Sequence, residues 1–317
     1  MALKELFGNF ANLDWKMCVM WVIGGVLIYL AIKKDMEPTL LLPMGFGAIL
    51  VNLPLSGAIG DHGPLTTLYN AGIANELFPL ILFIGIGAMI DFGPLLSNPK
   101  LMLFGAAAQF GIFFTLCMAS IFFVDKDAAS IAIIGAADGP TSIVVAQALD
   151  SNYIGAIMVA AYSSMALVPI IQPPVIKLLT TTKERMIRMP YVQREVSQTT
   201  KVLFPIILTV IAGLIAPDSV ALIGFLMFGN LIRECGVLAS LSETAQKVLA
   251  NLVTIFLGIT IACQMQAEQF LSSATLLIMG LGLVAFIVDT AGGVLFAKFL
   301  NLFLKTKMNP MIGAAGI

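Results

Sequence analysis

Residues 131–149 read IAIIGAADGPTSIVVAQAL, an apolar run whose centre holds one acid, Asp138, followed at once by Gly139 and Pro140. The surroundings make that acid unusual. Of the 317 residues, 59% are hydrophobic and only 11% charged, and the mean hydropathy is +0.99. Soluble domains carry about 25% charged residues. A chain this apolar belongs in a bilayer, where an ionised carboxylate at mid-depth costs about 2.5–3.5 kcal/mol on insertion scales. Helix breakers there are tolerated only where protein or a water-lined cavity satisfies the freed backbone. The stretch therefore reads as a functional break in a membrane segment.

Whether 128–149 crosses the membrane or dips in and returns is decided by the basic residues. The loop 177–201, KLLTTTKERMIRMPYVQREVSQTTK, holds six of the seventeen Lys and Arg, which places it in the cytoplasm. If 128–149 returns to its own side, Lys33, Lys34, Lys100, Arg233, Lys247, Lys298, Lys305 and Lys307 also fall inside. Only Lys4, Lys16 and Lys126 are then outside, a split of fourteen to three. A full crossing exchanges Lys33, Lys34 and Lys100 with those three and erases the bias in the first half. The re-entrant reading is the consistent one, and it puts the N-terminus outside.

Apolar spans are expected near 15–32, 39–54, 78–96, 101–124, 153–179, 202–216, 219–232, 248–266 and 274–304. A second segment that fits no ordinary span begins at Asn309-Pro310 and runs on as NPMIGAAGI. IGAADG (134–139) recurs as IGAAGI (312–317), FGAILVN (46–52) as FGNLIRE (228–234), and LFIGIGAMI (82–90) as IFLGITIAC (255–263). The three matches keep one order, at offsets within ten residues of each other. With the first dip entering from outside and the second from the cytoplasm, the halves are inverted, as in ion-coupled carriers. The expected fold is all-α: a polytopic membrane bundle with inverted repeats and two re-entrant broken-helix segments meeting near the midplane. Its divisions are a lead and first helix (1–38), a first repeat (39–179), a basic cytoplasmic loop (180–201) and a second repeat (202–317).

Several chemistries are excluded. The net charge of −1 gives no footprint for nucleic acid. Cys18, Cys117, Cys235 and Cys263 are scattered singly, and with His62 as the one histidine they form no zinc or Cys/His motif. The N-terminus carries no cleavable-signal pattern. What remains is oxygen chemistry. Asp138, backbone carbonyls freed by Gly139 and Pro140, and the hydroxyls of Thr141 and Ser142 form a cluster of hard donors suited to Na⁺ or a proton. Asn309 offers an amide oxygen, and Gly313 permits close backbone approach. Gly316 stands opposite Asp138 in the repeat, so the second half lacks the acid. Tyr162, Ser163 and Ser164 lie mid-helix in AAYSSMALVP, and Asp289 lies deep in AFIVDTAGG as an ion relay or a partner for Lys298.

The blocks GAADGPTSIVVA, AAYSSMALVPIIQPPVIKLLTTTKERMIRM, GNLIRECGV, DTAGGVLFAKFLN and NPMIGAAGI together resemble the beta subunit of the sodium-pumping biotin-dependent decarboxylases, which act on oxaloacetate, methylmalonyl-CoA or glutaconyl-CoA. The resemblance implies a multi-pass subunit of the cell membrane that releases CO₂ from carboxybiotin, consumes a proton and exports Na⁺. It implies partners: a carboxyltransferase subunit that carries the biotin, a small membrane-anchor subunit, and further copies in an oligomer. It places functional positions at Asp138, Asn309 and Gly313. Ser164 stands where the family usually has a second tyrosine, leaving Tyr162 as the nearby phenol and a candidate catalytic group. The family's serine and arginine beyond the NP block would lie past Ile317, so the chain is expected to stop inside a motif. An ion-coupled carboxylate carrier would need the same inverted repeat and dips but no biotin protein, and a purely structural membrane partner is the third alternative.

Overall fold

The computed structural model describes residues 8–107, 109–136, 138–189, 196–304 and 306–316. The N-terminal lead (1–7) and part of the basic loop (190–195) lie outside the described residues. Among the described residues every regular element is helical. Five helices are long and apolar enough to cross a membrane, or up to seven if each bent pair counts as one span. The chain is an all-α, multi-pass membrane protein.

In chain order, α1 (Trp15–Lys34) and α2 (Pro38–Val51) form a helical hairpin, and Pro38 sits at the first turn of α2, where its missing N–H costs nothing. A short α3 (Pro64–Leu68) runs into a π-turn at Tyr69–Ile73 and meets α4 (Leu77–Met89) at a bend of 63°. Next come α5 (Met102–Ala107) and α6 (Gln109–Ala119), on either side of Ala108. The first dip follows: α7 (Asp125–Ala132), a 3₁₀ turn (Ile133–Ala136) and α8 (Gly139–Ala148). The long α9 (Ile154–Leu179) bends by 60° between Met165 and Leu167. Pro169 explains the bend, because it cannot donate to the Met165 carbonyl four residues back and its ring crowds it.

The second half runs through the short α10 (Thr182–Arg185), α11 (Gln198–Ile215) and α12 (Val220–Glu234). Then α13 (Ala239–Glu243) passes into a π-turn at Thr244–Leu249 and on into α14 (Ala250–Ile261). The 31-residue α15 (Ser273–Phe303) is followed by a 3₁₀ turn at Pro310–Gly316.

The spans match the hydropathy reading closely, with two additions. Residues 64–73 and 239–249 are helical but too polar, as PLTTLYNAGI and ASLSETAQKVL, to stand out as apolar runs. Both contain π-turns, and each leads into a tightly packed apolar helix.

Small residues bring the two halves into contact, as expected where lipid removes the hydrophobic drive for association. A Cβ on Gly87 of α4 would stand 1.8 Å from the Leu226 carbonyl oxygen of α12, and one on Gly229 of α12 would stand 2.0 Å from the Ile84 carbonyl oxygen of α4. The same kind of crossing joins α2 and α14. There a Cβ on Gly47 would stand 3.0 Å from the Ile259 carbonyl oxygen, and one on Gly258 would stand 3.0 Å from Cβ of Pro43. Buried amides lock both crossings. Asn52 donates to the carbonyls of Ala48 and Met265 and accepts the N–H of Ala267, while Asn230 donates to the Ile90 carbonyl at 2.8 Å.

A candidate intramembrane ion site

The first dip closes on itself. Asp127, buried at its start, accepts the Ser151 hydroxyl at 2.8 Å and the backbone N–H of Asn152 at 2.8 Å. Lys126 donates to the Asp150 carbonyl at 2.6 Å and pairs with its carboxylate at 3.6 Å. Residues 125–127 and 150–152 therefore lie side by side, and the chain between them enters and returns.

Asp138 lies within that loop as the N-cap of α8. Its Oδ2 accepts the Thr141 hydroxyl and its Oδ1 the Thr141 N–H at 3.4 Å. Its backbone carbonyl takes the Ser142 hydroxyl at 2.8 Å and the Ser142 N–H at 3.1 Å. Gly139-Pro140 thus begins a helix more than it breaks one. Pro140 occupies the first turn, and the Asp138 carbonyl is used by Ser142. The carboxylate itself has no basic partner among the described ion pairs. What stabilises its charge is the positive end of α8 and the Thr141 hydroxyl.

Tyr162 of α9 packs its ring on Gly139, where a Cβ would stand 2.6 Å from the ring's Cε1 and Cζ. The residue is buried, its hydroxyl has no hydrogen-bond partner, and Asp138 is its charged neighbour. Met165, one turn along, accepts the Gly139 N–H on its sulfur at 3.2 Å. Among the described residues, an acid without a counter-ion and a phenol without a hydrogen-bond partner thus flank one glycine. Ser164 faces elsewhere: its Oγ would lie 3.2 Å from a Cβ at Gly282 of α15.

The second dip is held differently. Asn309 donates from Nδ2 to the carbonyls of Arg185 (2.8 Å) and Ile187 (3.2 Å), and its Oδ1 accepts the Met311 N–H at 3.1 Å. It clamps the start of the basic loop. Gly313 lies against α15, where a Cβ would stand 1.9 Å from the Gly293 carbonyl oxygen. The first dip repeats that contact, with a Cβ on Gly135 standing 2.9 Å from the Gly111 carbonyl carbon. No described hydrogen bond joins Asn309 or Gly313 to Asp138. The two dips communicate through α9, whose Tyr162 and Met165 meet the first while Gln172 donates to the Ala314 carbonyl of the second at 3.3 Å.

Asp289 is not paired with Lys298, one of the two roles read for it. Lys298 reaches Glu184 at 3.1 Å and the Leu179 carbonyl at 2.9 Å, and Asp289 is fully buried on α15. The sequence reading missed Asp127 and Gly111, whose roles depend on partners far along the chain. For Asp127 a signal existed, since a dip that returns needs its ends tied.

The family of Na⁺-transporting oxaloacetate decarboxylase beta subunits matches residues 16–317, which include both dips and α9 between them. The chain belongs to this family. It is 51% identical to the methylmalonyl-CoA decarboxylase subunit beta of Veillonella parvula, over 94% of this chain and 79% of the relative. It is 49% identical to the glutaconyl-CoA decarboxylase subunit beta of Acidaminococcus fermentans, over 98% and 82%. It is 44% identical to a probable oxaloacetate decarboxylase beta chain of Vibrio cholerae, over 100% and 87%. Within this family match, Asp138 and Tyr162 lie on either side of Gly139, a carboxylate without a basic partner among the described ion pairs and a hydroxyl without a hydrogen-bond partner.

Proposed function

We propose that this chain is the membrane subunit of a Na⁺-translocating decarboxylase and that Asp138 binds the transported ion. The observation that carries the reading is the Asp138 carboxylate, without a basic partner, beside the unpartnered Tyr162 hydroxyl in a dip that closes on itself. An intramembrane acid of this kind is functional by default. Thr141 and Ser142 supply further oxygens, and Tyr162 is the phenol positioned to add its own. Asn309 and Gly313 hold the second dip, which completes the Na⁺ path from the cytoplasmic side as the two halves alternate in exposure. The paired crossings α4–α12 and α2–α14 support reading the halves as inverted repeats.

In this scheme a partner carboxyltransferase delivers its biotin as carboxybiotin, and a small anchor subunit holds the assembly. Carboxybiotin loses CO₂ when its N–C bond breaks: the bonding pair stays on nitrogen, which takes up one proton. Na⁺ at Asp138 favours approach of the anion, and the proton that replaces Na⁺ comes from outside.

Reconstituted with its partner subunits, Asp138→Asn is expected to abolish Na⁺-dependent decarboxylation, because an amide neither neutralises a cation nor carries a proton. Asp138→Glu should retain activity at weaker apparent Na⁺ affinity. Wild-type activity in Asp138→Asn would sink the assignment. Turnover of a carboxylate with no biotinylated protein retained on avidin would favour a carrier instead.

A further inference from the structure

Asp289 lies mid-way along α15 with none of its surface exposed. Its Oδ1 accepts the Gly111 N–H of α6 at 3.0 Å. Its Oδ2 has no partner, and neither has the hydroxyl of Thr290, which is also fully buried. No counter-ion comes from the elements packed around α15. Helix α5 and the 3₁₀ turns 133–136 and 310–316 carry no ionisable side chain, and α6 carries only the exposed Cys117. On α7, Asp125 is exposed at the outer end of the dip, and Lys126 and Asp127 are engaged there by Asp150, Ser151 and Asn152. On α9, Tyr162 stands beside Asp138 and Lys177 is exposed, as is Glu268 on the turn before α15.

An ionised carboxylate with one backbone hydrogen bond and no counter-charge is an expensive group inside a bilayer. A cation cage is not available to relieve it, because hard cations are held by about six oxygens. The Gly111 carbonyl is already taken by the Thr115 hydroxyl at 2.7 Å. Asp289 and Thr290 are consecutive on a helix and point about 100° apart. The species that fits is the neutral acid, with a proton on Oδ2.

We propose that Asp289 is a second proton-exchanging carboxyl of the pump, separate from the ion site at Asp138. Its position ties it to both dips. The Gly111 backbone that binds it is the surface on which Gly135 of the first dip packs, and Gly293, one turn further along α15, packs on Gly313 of the second. Loss of the proton places a charge directly behind both contacts. In the cycle Asp289 takes a proton from water on the outer side and releases it toward the carboxybiotin side. There the O–H bond breaks, the biotin nitrogen gains the proton, and CO₂ leaves uncharged. This role rests on the reading of the chain as a decarboxylase pump, whereas the protonated state of Asp289 does not.

The test uses the full complex in lipid vesicles. Asp289→Asn keeps an oxygen for the Gly111 N–H but carries no titratable proton. Its thermal stability and binding of radioactive Na⁺ should stay near wild type. Its decarboxylation rate should fall about ten-fold or more and keep only the dependence on external pH that Asp138 imposes, and Asp289→Glu should restore part of what is lost. Infrared spectra should contain a carboxylic-acid C=O band that is lost in Asp289→Asn and retained in Asp138→Asn. If Asp289→Asn does not accumulate, Asp289→Glu gives the same readout as a displaced acid band. A wild-type rate and pH profile in Asp289→Asn, or no acid band altered by substitution at 289, overturns the proposal. A wild-type Na⁺ response in Asp138→Asn overturns the assignment of Asp138 alone and leaves the band at 289 to be judged separately.

Discussion

Asp127 accepts the hydroxyl of Ser151 at 2.8 Å, and with the bonds from Asn152 to Asp127 and from Lys126 to Asp150 it ties together the two ends of a 25-residue segment. Cysteines placed at Asp125 and Asp150, both exposed, should react with an impermeant thiol reagent from the same side, the outside of intact cells. A cysteine at Lys183 in α10 should react only in inverted vesicles. Labelling of 125 and 150 from opposite sides would show a full crossing.

Tyr162→Phe removes a hydroxyl that has no partner and keeps the ring that packs on Gly139. Thermal stability should therefore be unchanged or slightly raised. If the hydroxyl serves the ion, apparent Na⁺ affinity should weaken about ten-fold, the worth of one hydrogen bond to a charged group. Unaltered Na⁺ titration of decarboxylation would remove Tyr162 from the site.

Gly313→Ala places a methyl 1.9 Å from the Gly293 carbonyl oxygen, a backbone atom that cannot rotate away. The second dip must shift, at a cost of about 1–3 kcal/mol. The control is Gly280→Ala on the same α15, where nothing lies within 4 Å of the new methyl. Melting in detergent should separate the two variants clearly, and equal melting temperatures would contradict the packing described.

Glu184 accepts the Thr181 backbone N–H, which with the Lys298 ammonium holds its carboxyl below its ordinary value of 4.5. A group whose folded value is depressed stabilises fully above its unfolded value, and that contribution is lost as pH falls through the folded value. Docking of the 180–187 loop on α15 should therefore be constant at neutral pH and weaken below about pH 4.5. Tryptic cleavage after Lys183 in Glu184→Gln, compared with wild type unfolded briefly at low pH, reads this out. Cleavage rates that do not differ between Glu184→Gln and wild type at pH 7 would dismiss the anchor.

Much of this arrangement is legible in the residues themselves. Apolar runs locate the spans because lipid imposes their length, and the Lys and Arg count favours 128–149 as the segment that turns back. Asp138 announces itself because acids are rare in such surroundings. Other features are invisible for a common reason: their partners are distant in sequence. Nothing near Asn309 suggests that its amide binds the carbonyls of Arg185 and Ile187, and nothing near Asp289 points to the N–H of Gly111. The polar helices at 64–73 and 239–249 escape notice because their Thr, Asn, Ser, Glu, Gln and Lys residues break the apolar runs that hydropathy detects.

The bend at Met165–Leu167 falls between the part of α9 that touches one dip and the part that touches the other. A change in that single angle alters the spacing between Asp138 and the Asn309 turn while each keeps its own hydrogen bonds. The helix is built as a jointed rod whose joint, ahead of Pro169, lies between its contacts with the two dips.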